Sequence, residues 1–259
     1  MKRNQIAAQL YTIRDHLKEP KQIADSLKRV RAIGYEAVQV SGMGEIADAE
    51  LVRILDGEGL TCCATHEPSQ QILDDPDGVV EHLGNIKCTM TAYPYPAGID
   101  MNSESAVRDL AQKLDKAGAV LAEAGMVLGY HNHNIEFVRF DGKNALEIIY
   151  EETSPAHLVG EIDTYWVQAG GGSVESWCRK LYGRLPFIHL KDFGIDADRS
   201  PVFKEIGYGN LDWSSIIAEA ERSGSNWFIV EQDRNWADDD PFKSLEMSYR
   251  FLVENICAD

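Results

Sequence analysis

Eight short segments rich in β-branched and aromatic residues recur along this chain, and each is followed by a longer segment with helical periodicity. Such alternation is typical of βα units repeated around a parallel sheet. The 259 residues give each unit about 32 residues, close to the roughly 30 of one βα unit. We therefore predict the α/β class, with a single (β/α)8 TIM barrel as one domain over residues 1–259. The predicted strands are 5–12, 36–42, 60–67, 87–94, 126–133, 157–163, 186–193 and 226–233.

The segment after Pro20 illustrates the helical periodicity. Ile23, Leu27 and Val30 recur at steps of four and three residues, which places them on one face of a helix. Gly34 then marks the expected end of this helix. A doubly wound sheet is the rival fold, but no G-x-G-x-x-G follows the first predicted strand and no G-x-x-x-x-G-K-[ST] occurs in the chain. These patterns favour the barrel.

The chain carries a large excess of acidic residues. Its 25 Lys and Arg against 42 Asp and Glu give a formal net charge of −17. Such a charge repels nucleic acid and anionic membrane surfaces where no basic patch offsets it. No apolar run approaches the roughly 18 residues of a membrane span, and the N-terminus lacks the apolar core of a secretory signal. We therefore predict a cytoplasmic protein with no nucleic-acid partner and no membrane partner.

The five cysteines are odd in number and contain no C-x-x-C pair, which predicts reduced and mostly buried thiols. Cys62 and Cys63 are adjacent in the third predicted strand. Because successive side chains of a strand point to opposite faces, one is expected to face the barrel interior and the other the helices.

Polar side chains gather at the carboxyl ends of the predicted strands, which is the end of a (β/α)8 barrel where chemistry is carried out. Positions two apart on a strand share a face, and this rule groups Glu161 with Asp163 and His189 with Lys191. A single strand-end histidine is more often a packing residue than a ligand, so only the joint occurrence on consecutive strands indicates a site. The strand-end polar residues are His66, His131, His133, Glu136, Asp163, His189, Lys191, Glu231 and Asp233.

Carboxylates and imidazoles that converge from neighbouring strands are the donor groups of a divalent metal site. Oxygen donors favour Mn²⁺ or Mg²⁺, and imidazole nitrogens also admit Co²⁺, Zn²⁺ or Fe²⁺. We therefore predict one divalent metal ion. The aromatic residues Trp166 and Trp213 either stack against a sugar or cover the barrel core, and the sequence leaves both roles open.

Six motifs spread over the chain carry a resemblance to a known family. They are QLYTIRD (9–15), GYHNHNIEF (129–137), EIDTYWVQAGG (161–171), IHLKDF (188–193), EIGYGNLDW (205–213) and IVEQD (229–233). With these motifs the chain resembles the xylose isomerase-like TIM barrel superfamily, in its sugar phosphate isomerase/epimerase branch. The resemblance covers essentially the whole chain and implies a single divalent metal held by residues of the fifth to eighth strands.

The resemblance also implies which residues bind the metal. The family's aspartate, histidine and glutamate of strands six, seven and eight map onto Asp163, His189 and Glu231. In strand five the family's usual glutamate falls near His131, and the nearest acid is Glu136, five residues later. We predict that Glu136 reaches back to the metal, with His131 as the alternative ligand.

The chemistry that the resemblance implies is the movement of a proton next to a sugar carbonyl. The metal polarises the carbonyl and stabilises an enediolate, while a carboxylate or histidine removes the proton. Glu231 and Glu136 are predicted as bases on the two faces of the sugar. His133 and Lys191 are predicted to bind hydroxyls or to shuttle protons. The remaining predicted substrate contacts are His66, Gln9, Tyr11, His131 and Trp166.

Several functions are compatible with such a site. The prediction is a metal-dependent isomerase or epimerase for a small, unphosphorylated sugar, keto-sugar or inositol derivative. A lyase or dehydratase for a 3-keto-sugar or keto-glycoside needs the same metal and the same proton removal. A non-catalytic sugar-binding barrel would not need the metal residues, and an apurinic endonuclease would need a basic groove that the net charge of −17 disfavours. The number of subunits is left open, a homo-oligomer included.

Overall fold

The computed structural model describes residues 1–257, so residues 258 and 259 of the predicted domain lie outside the described part. Eight parallel strands form a closed barrel in which consecutive strands are neighbours, and the eighth pairs with the first. This arrangement confirms the predicted (β/α)8 barrel. The barrel strands are β1 (Ile6–Gln9), β2 (Ala37–Val40), β3 (Thr61–His66), β4 (Met90–Tyr93), β5 (Val127–His131), β6 (Val159–Asp163), β7 (Phe187–Leu190) and β8 (Trp227–Val230).

Helices surround the barrel and begin and end at residues of the expected types. The first has Pro20 at its first position and ends at Gly34, whose φ is 128°. Within residues 1–257, none of the helices combines the length and the apolar character that crossing a membrane requires. The α-helices are α1 (Pro20–Ile33), α2 (Asp48–Glu58), α3 (Ser69–Asp74), α4 (Pro76–Asn85), α5 (Glu104–Glu123), α6 (Ala145–Glu151), α7 (Thr164–Ala169), α8 (Val174–Lys180), α9 (Trp213–Arg222) and α10 (Pro241–Asn255).

The strands are shorter than the sequence predicts. β1 ends at Gln9, whose side chain accepts a hydrogen bond of 3.1 Å from the backbone N–H of Tyr11, and residues Leu10–His16 form a 3-10 helix instead. After β7, residues Asp192–Ile195 pair antiparallel with Pro201–Lys204 rather than with a barrel strand. After Gln9 and after Leu190 the chain therefore leaves the barrel, at the carboxyl ends of the two strands.

Small side chains around one aromatic ring fill the barrel interior. Gly129 of β5 packs against the Phe187 ring, and a Cβ added to this glycine would lie only 2.6 Å from the ring. Cys63 belongs to this interior cluster, and Cys62 belongs to the outer core between strands and helices, as predicted. The interior cluster forms an apolar floor beneath the polar strand ends. Its buried members are Ala7, Ala37, Cys63, Ala64, Ala92, Phe187 and Ile229.

Candidate metal centre and active site

A cavity of about 380 Å³ opens at the carboxyl ends of the barrel strands. This is the end at which (β/α)8 barrels carry their active sites. The predicted site residues that line the cavity are Tyr11, His66, His131, His133, Lys191 and Glu231.

Four side chains from consecutive strands meet at the base of this cavity. His131 ends β5 and Asp163 ends β6. His189 lies in β7, two residues after Phe187 in the sequence, and Glu231 directly follows β8. The ligand atoms of the four side chains all lie within 4.8 Å of one another, and all four residues are buried.

This group fits a divalent metal ion. Within residues 1–257, the buried atoms His131 Nδ1 and Asp163 Oδ2 make no hydrogen bond. Asp163 Oδ2 faces the Lys191 ammonium as an ion pair at 3.0 Å but accepts no hydrogen bond from the described residues, so this buried oxygen keeps lone pairs that a metal ion could bind. Two imidazoles and two carboxylates suit Mn²⁺, Co²⁺ or Zn²⁺, and the oxygen donors also suit Mg²⁺.

The ammonium group of Lys191 lies against the same carboxylates. Its nitrogen is 2.8 Å from Glu231 Oε2, 3.0 Å from Asp163 Oδ2 and 3.0 Å from Asp233 Oδ2. The contact with Asp163 is an ion pair without hydrogen-bond geometry. Burial acts to lower the pKa of Lys191, but the three carboxylates raise it well above its ordinary value. The group therefore stays charged, so it can donate a proton but does not act as a base.

Burial and the local charges set the ionisation of the two carboxylate donors. Burial raises the pKa of Asp163 to about 6, although Lys191 and His189 act to lower it. Burial also acts to raise the pKa of Glu231, but Lys191 and His189 together lower it well below its ordinary value. Glu231 is therefore ionised at neutral pH, as a metal ligand or a general base must be.

The two imidazole donors differ in charge. Burial, assisted by the neighbouring His189, lowers the pKa of His131 to about 3, so this ring is neutral and offers a lone pair. Burial acts to lower the pKa of His189 as well, but Glu161 and Glu231 raise it to about 10. Without a metal, His189 therefore carries a second proton, which a divalent cation would displace.

A second layer of polar groups lies beneath the metal-site residues. Glu161 of β6 is fully buried, and its Oε2 lies 2.5 Å from His66 Nε2 and 3.2 Å from His131 Nδ1. Its Oε1 accepts a hydrogen bond of 2.6 Å from Gln39 Nε2 in β2. With His66, His131 and His189, Glu161 forms a second group whose ligand atoms lie within 4.8 Å of one another.

Neither Glu161 nor Gln39 was among the predicted site residues. The available signal was local, because each is a polar residue at an inward-facing position of an otherwise apolar strand. Gln39 lies two residues after Ala37, which belongs to the barrel interior, and Glu161 lies two residues before Asp163.

Glu136 does not lie with the metal-site residues, so the predicted reach back to the metal does not agree with the geometry. Its Oε1 accepts a hydrogen bond of 3.0 Å from the Tyr130 hydroxyl, and its Oε2 accepts one of 2.8 Å from the backbone N–H of His133. A 3-10 turn over Ile135–Phe137 buries the side chain completely. Both oxygens hold the turn after β5, and the strand-five residue in the group of four that could hold a metal ion is His131, the alternative ligand of the prediction.

The other predicted substrate contacts divide between the cavity and the interior. Tyr11 and His133 line the cavity, and burial lowers the pKa of His133 well below its ordinary value. Trp166 lines an adjoining groove, with its ring 5.4 Å from that of His133. Gln9 is fully buried instead, and its Nε2 donates a hydrogen bond of 2.8 Å to Gln39 Oε1. The structure therefore places Gln9 in the layer beneath the site rather than at the cavity surface.

The loop of residues 205–213 is held by the residue that follows Lys191. The carboxylate of Asp192 accepts hydrogen bonds from the backbone N–H groups of Gly207 and Gly209 and from Trp213 Nε1. An added Cβ on Gly209 would lie 2.4 Å from Asp192 Oδ1, so the close approach requires glycine. Trp213 is buried, and it belongs to the core rather than to a sugar-stacking surface.

Comparison with known families agrees with this geometry. The family described as xylose isomerase-like TIM barrel matches residues 27–252, and the chain belongs to this family. An inosose dehydratase from Geobacillus thermodenitrificans is 24% identical over 160 residues, which are 56% of this chain and 53% of that protein. The chain spans about half the length of the curated relatives it matches.

Solved structures share the fold over nearly the whole chain. A sugar phosphate isomerase/epimerase from Parabacteroides distasonis is 19% identical, with a TM-score of 0.83, and the match covers 98% of this chain and 95% of that one. An L-ribulose 3-epimerase is 14% identical, with a TM-score of 0.74 and coverage of 98% and 94%. At these identities the similarity shows the fold and not the activity.

Proposed function

We propose that the chain is a divalent-metal-dependent isomerase or epimerase that moves a proton next to the carbonyl of a small sugar, keto-sugar or inositol derivative. The observation that carries this proposal is the buried group of two imidazoles and two carboxylates at the base of an open cavity. When bound there, the metal supplies a Lewis acid that polarises the sugar carbonyl and stabilises the charge of an enediolate. The group comprises His131, Asp163, His189 and Glu231.

Glu231 is the proposed base. It borders the cavity and stays ionised because Lys191 and His189 lower its pKa. The ammonium group of Lys191, 2.8 Å from Glu231 Oε2, stays charged and also borders the cavity. Lys191 can therefore donate a hydrogen bond to a substrate oxygen or return a proton to it, while Glu231 holds the proton taken from carbon.

Epimerisation at one carbon requires a proton donor or acceptor on each face of the sugar. Glu136 is fully buried and bound to Tyr130 and His133, so it does not serve as the second base. His133 lines the cavity, and its Nδ1 has no hydrogen-bond partner within residues 1–257. Because burial lowers its pKa, the ring is neutral, and one of its nitrogens carries a lone pair. His133 is therefore the proposed second base.

A dehydratase is the second candidate, supported by the similarity to an inosose dehydratase. In this reaction Glu231 would take a proton from the carbon next to the carbonyl. The bond between the next carbon and its hydroxyl oxygen would then break, and the proton of Lys191 would complete the departing water. This elimination needs one base and one acid, and Glu231 and Lys191 lie in contact.

The two candidates are separated by one experiment in D₂O. The Mn²⁺-loaded protein is incubated with an inosose and with a panel of ketoses, and the products are followed by NMR and mass spectrometry. Deuterium next to the carbonyl without loss of water supports the isomerase or epimerase, and loss of one water with an unsaturated ketone supports the dehydratase. Protein loaded with Mn²⁺, Co²⁺ or Mg²⁺ that neither exchanges a proton with any of these substrates nor removes water from it would contradict both.

A further inference from the structure

The two ring nitrogens of His189 face different partners. Nδ1 lies 3.0 Å from Glu231 Oε2 and 4.0 Å from Asp163 Oδ2, on the side of the proposed metal. Nε2 lies 2.6 Å from Gln39 Oε1 and 3.3 Å from Glu161 Oε1, on the opposite side of the ring. A neutral imidazole carries its proton on one nitrogen and its lone pair on the other. The group that fixes the proton therefore fixes which nitrogen can bind a metal.

Glu161 sets the direction of the hydrogen bonds behind His189. A carboxylate has no proton to donate, so Gln39 Nε2, 2.6 Å from Glu161 Oε1, must be the donor. The amide oxygen of Gln39 then points the other way, where it also accepts a hydrogen bond of 2.8 Å from Gln9 Nε2. Against this oxygen, His189 Nε2 can only donate.

We infer that Gln39 and Glu161 are positioning residues, which hold a proton on His189 Nε2 and so leave Nδ1 as the metal-binding nitrogen. The inference rests on the proposed metal centre. Gln39, Glu161 and His189 are all fully buried, so water does not compete for these hydrogen bonds. Groups that hydrogen-bond the far nitrogen of a metal-bound histidine fix its tautomer and its ring orientation. Gln39 would do this by accepting a hydrogen bond from Nε2, and Glu161 would do it by fixing the orientation of the Gln39 amide and by placing Oε1 3.3 Å from the same nitrogen.

The deeper group around Glu161 is the competing location for a metal. An ion bound there by His66, His131 and His189 would need the lone pair of His189 Nε2 in place of its proton. It would also have to break the 2.6 Å contact between His189 and Gln39 and the 2.5 Å contact between His66 and Glu161. The two locations therefore predict opposite nitrogens of His189 as the metal ligand.

The first measurement uses the wild-type chain and Zn²⁺ alone, because Zn²⁺ is diamagnetic. Long-range ¹H–¹⁵N NMR spectra of ¹⁵N-histidine-labelled protein show which ring nitrogen carries the proton and which binds the metal. A His189→Gln variant assigns the signal. The expected result is metal on Nδ1 and a proton on Nε2, and metal on Nε2 overturns the inference. The Zn²⁺-loaded protein is used because only the loaded ring has one nitrogen on the metal and the other free to carry the proton.

The second measurement is the Zn²⁺ affinity of variants by calorimetry. Glu161→Gln removes the obligate acceptor, so the Gln39 amide is free to turn round, and Gln39→Leu removes the acceptor of the Nε2 hydrogen bond. Each is expected to weaken Zn²⁺ binding about 10- to 100-fold, the usual effect of losing the partner of a metal-bound histidine. Asp115→Asn is the matched control, because it removes a carboxylate 3.1 Å from the half-exposed His157, and it should leave the affinity unchanged.

The outcomes separate this inference from the proposed function. If both variants fold and bind Zn²⁺ as tightly as the wild type, the inference is overturned and the proposed metal centre is unaffected. Wild-type protein that binds no Zn²⁺ overturns the metal centre, and the inference with it. Where Glu161→Gln or Gln39→Leu does not fold, the NMR spectrum of the wild-type chain decides.

Discussion

The ammonium nitrogen of Lys191 and the Oε2 oxygen of Glu231 lie 2.8 Å apart in the barrel mouth, where the two side chains are 1% and 5% exposed. Asp163 and Asp233 each place one oxygen 3.0 Å from the same nitrogen. One lysine thus balances three acids, and two of these acids are proposed metal ligands. A divalent ion would share those oxygens with Lys191, so the ion and the lysine act on the same negative charge.

Lys191→Met is expected to destabilise the metal-free protein by about 3 to 5 kcal/mol, because it leaves buried carboxylates without their cation. Mn²⁺ should restore part of this loss, since a divalent ion compensates the same oxygens. Urea unfolding with and without Mn²⁺ measures both effects. Lys143→Met is the control, because it removes a lysine that is 55% exposed from a surface ion pair and should change little. A Lys191→Met variant as stable as the wild type would show that the ammonium does not balance these acids.

His131→Ala is expected to weaken metal binding far more than Glu136→Ala. His131 belongs to the ligand group, whereas both oxygens of Glu136 are engaged by Tyr130 and His133. Mn²⁺ titration followed by electron paramagnetic resonance measures the affinities. Both variants are checked for folding by circular dichroism. The reverse order of affinities would restore Glu136 as the strand-five ligand.

Glu231→Gln is expected to keep the fold and to slow proton exchange into the substrate by about 10²- to 10⁴-fold, because the amide cannot accept the proton. The rate of solvent deuterium incorporation into a processed sugar measures this. Glu81→Gln, at an exposed position of α4, should exchange at the wild-type rate. Unchanged exchange in Glu231→Gln would assign the base to another residue, with His133 next in line.

Glu136→Gln is expected to flatten the pH dependence of stability. Burial raises the pKa of Glu136 from its ordinary 4.5 to about 7, so the folded protein keeps a proton that the unfolded chain releases. Stability is therefore lost as the pH rises between these values, by about 3 kcal/mol in total. Unfolding free energies measured at several pH values should fall more steeply in the wild type than in the variant, in which Asp163, with a pKa of about 6, still titrates. Glu123→Gln, an exposed change in α5, should keep the wild-type profile, and a variant curve that parallels it would count against a buried titration at Glu136.

The barrel could be predicted because its elements depend on periodicity alone. The spacing of Ile23, Leu27 and Val30 specifies one face of α1 wherever the helix packs. Strand ends do not follow from periodicity. β1 ends at Gln9 because its side chain binds the backbone of Tyr11, and this local contact leaves no trace in the hydrophobic pattern.

The site was predictable where strand register places a residue, and not where a turn or a distant partner does. Asp163 and His189 face inward by the two-residue period, and the structure brings them together. The direction of Glu136 depends on the turn after β5, which the sequence pattern does not specify. Gln39 and Glu161 are 122 residues apart, so their contact exists only once the barrel closes.

Lys191 and Asp192 are consecutive residues that point to opposite sides of the barrel wall. The Asp192 carboxylate accepts backbone hydrogen bonds from the loop of residues 205–213, and Tyr208 in this loop is 52% exposed. A single peptide unit therefore separates the residue that holds the loop from the residue whose ammonium group lies in the cavity. The backbone segment that places the ammonium group in the cavity is therefore also the segment that anchors an exposed surface loop.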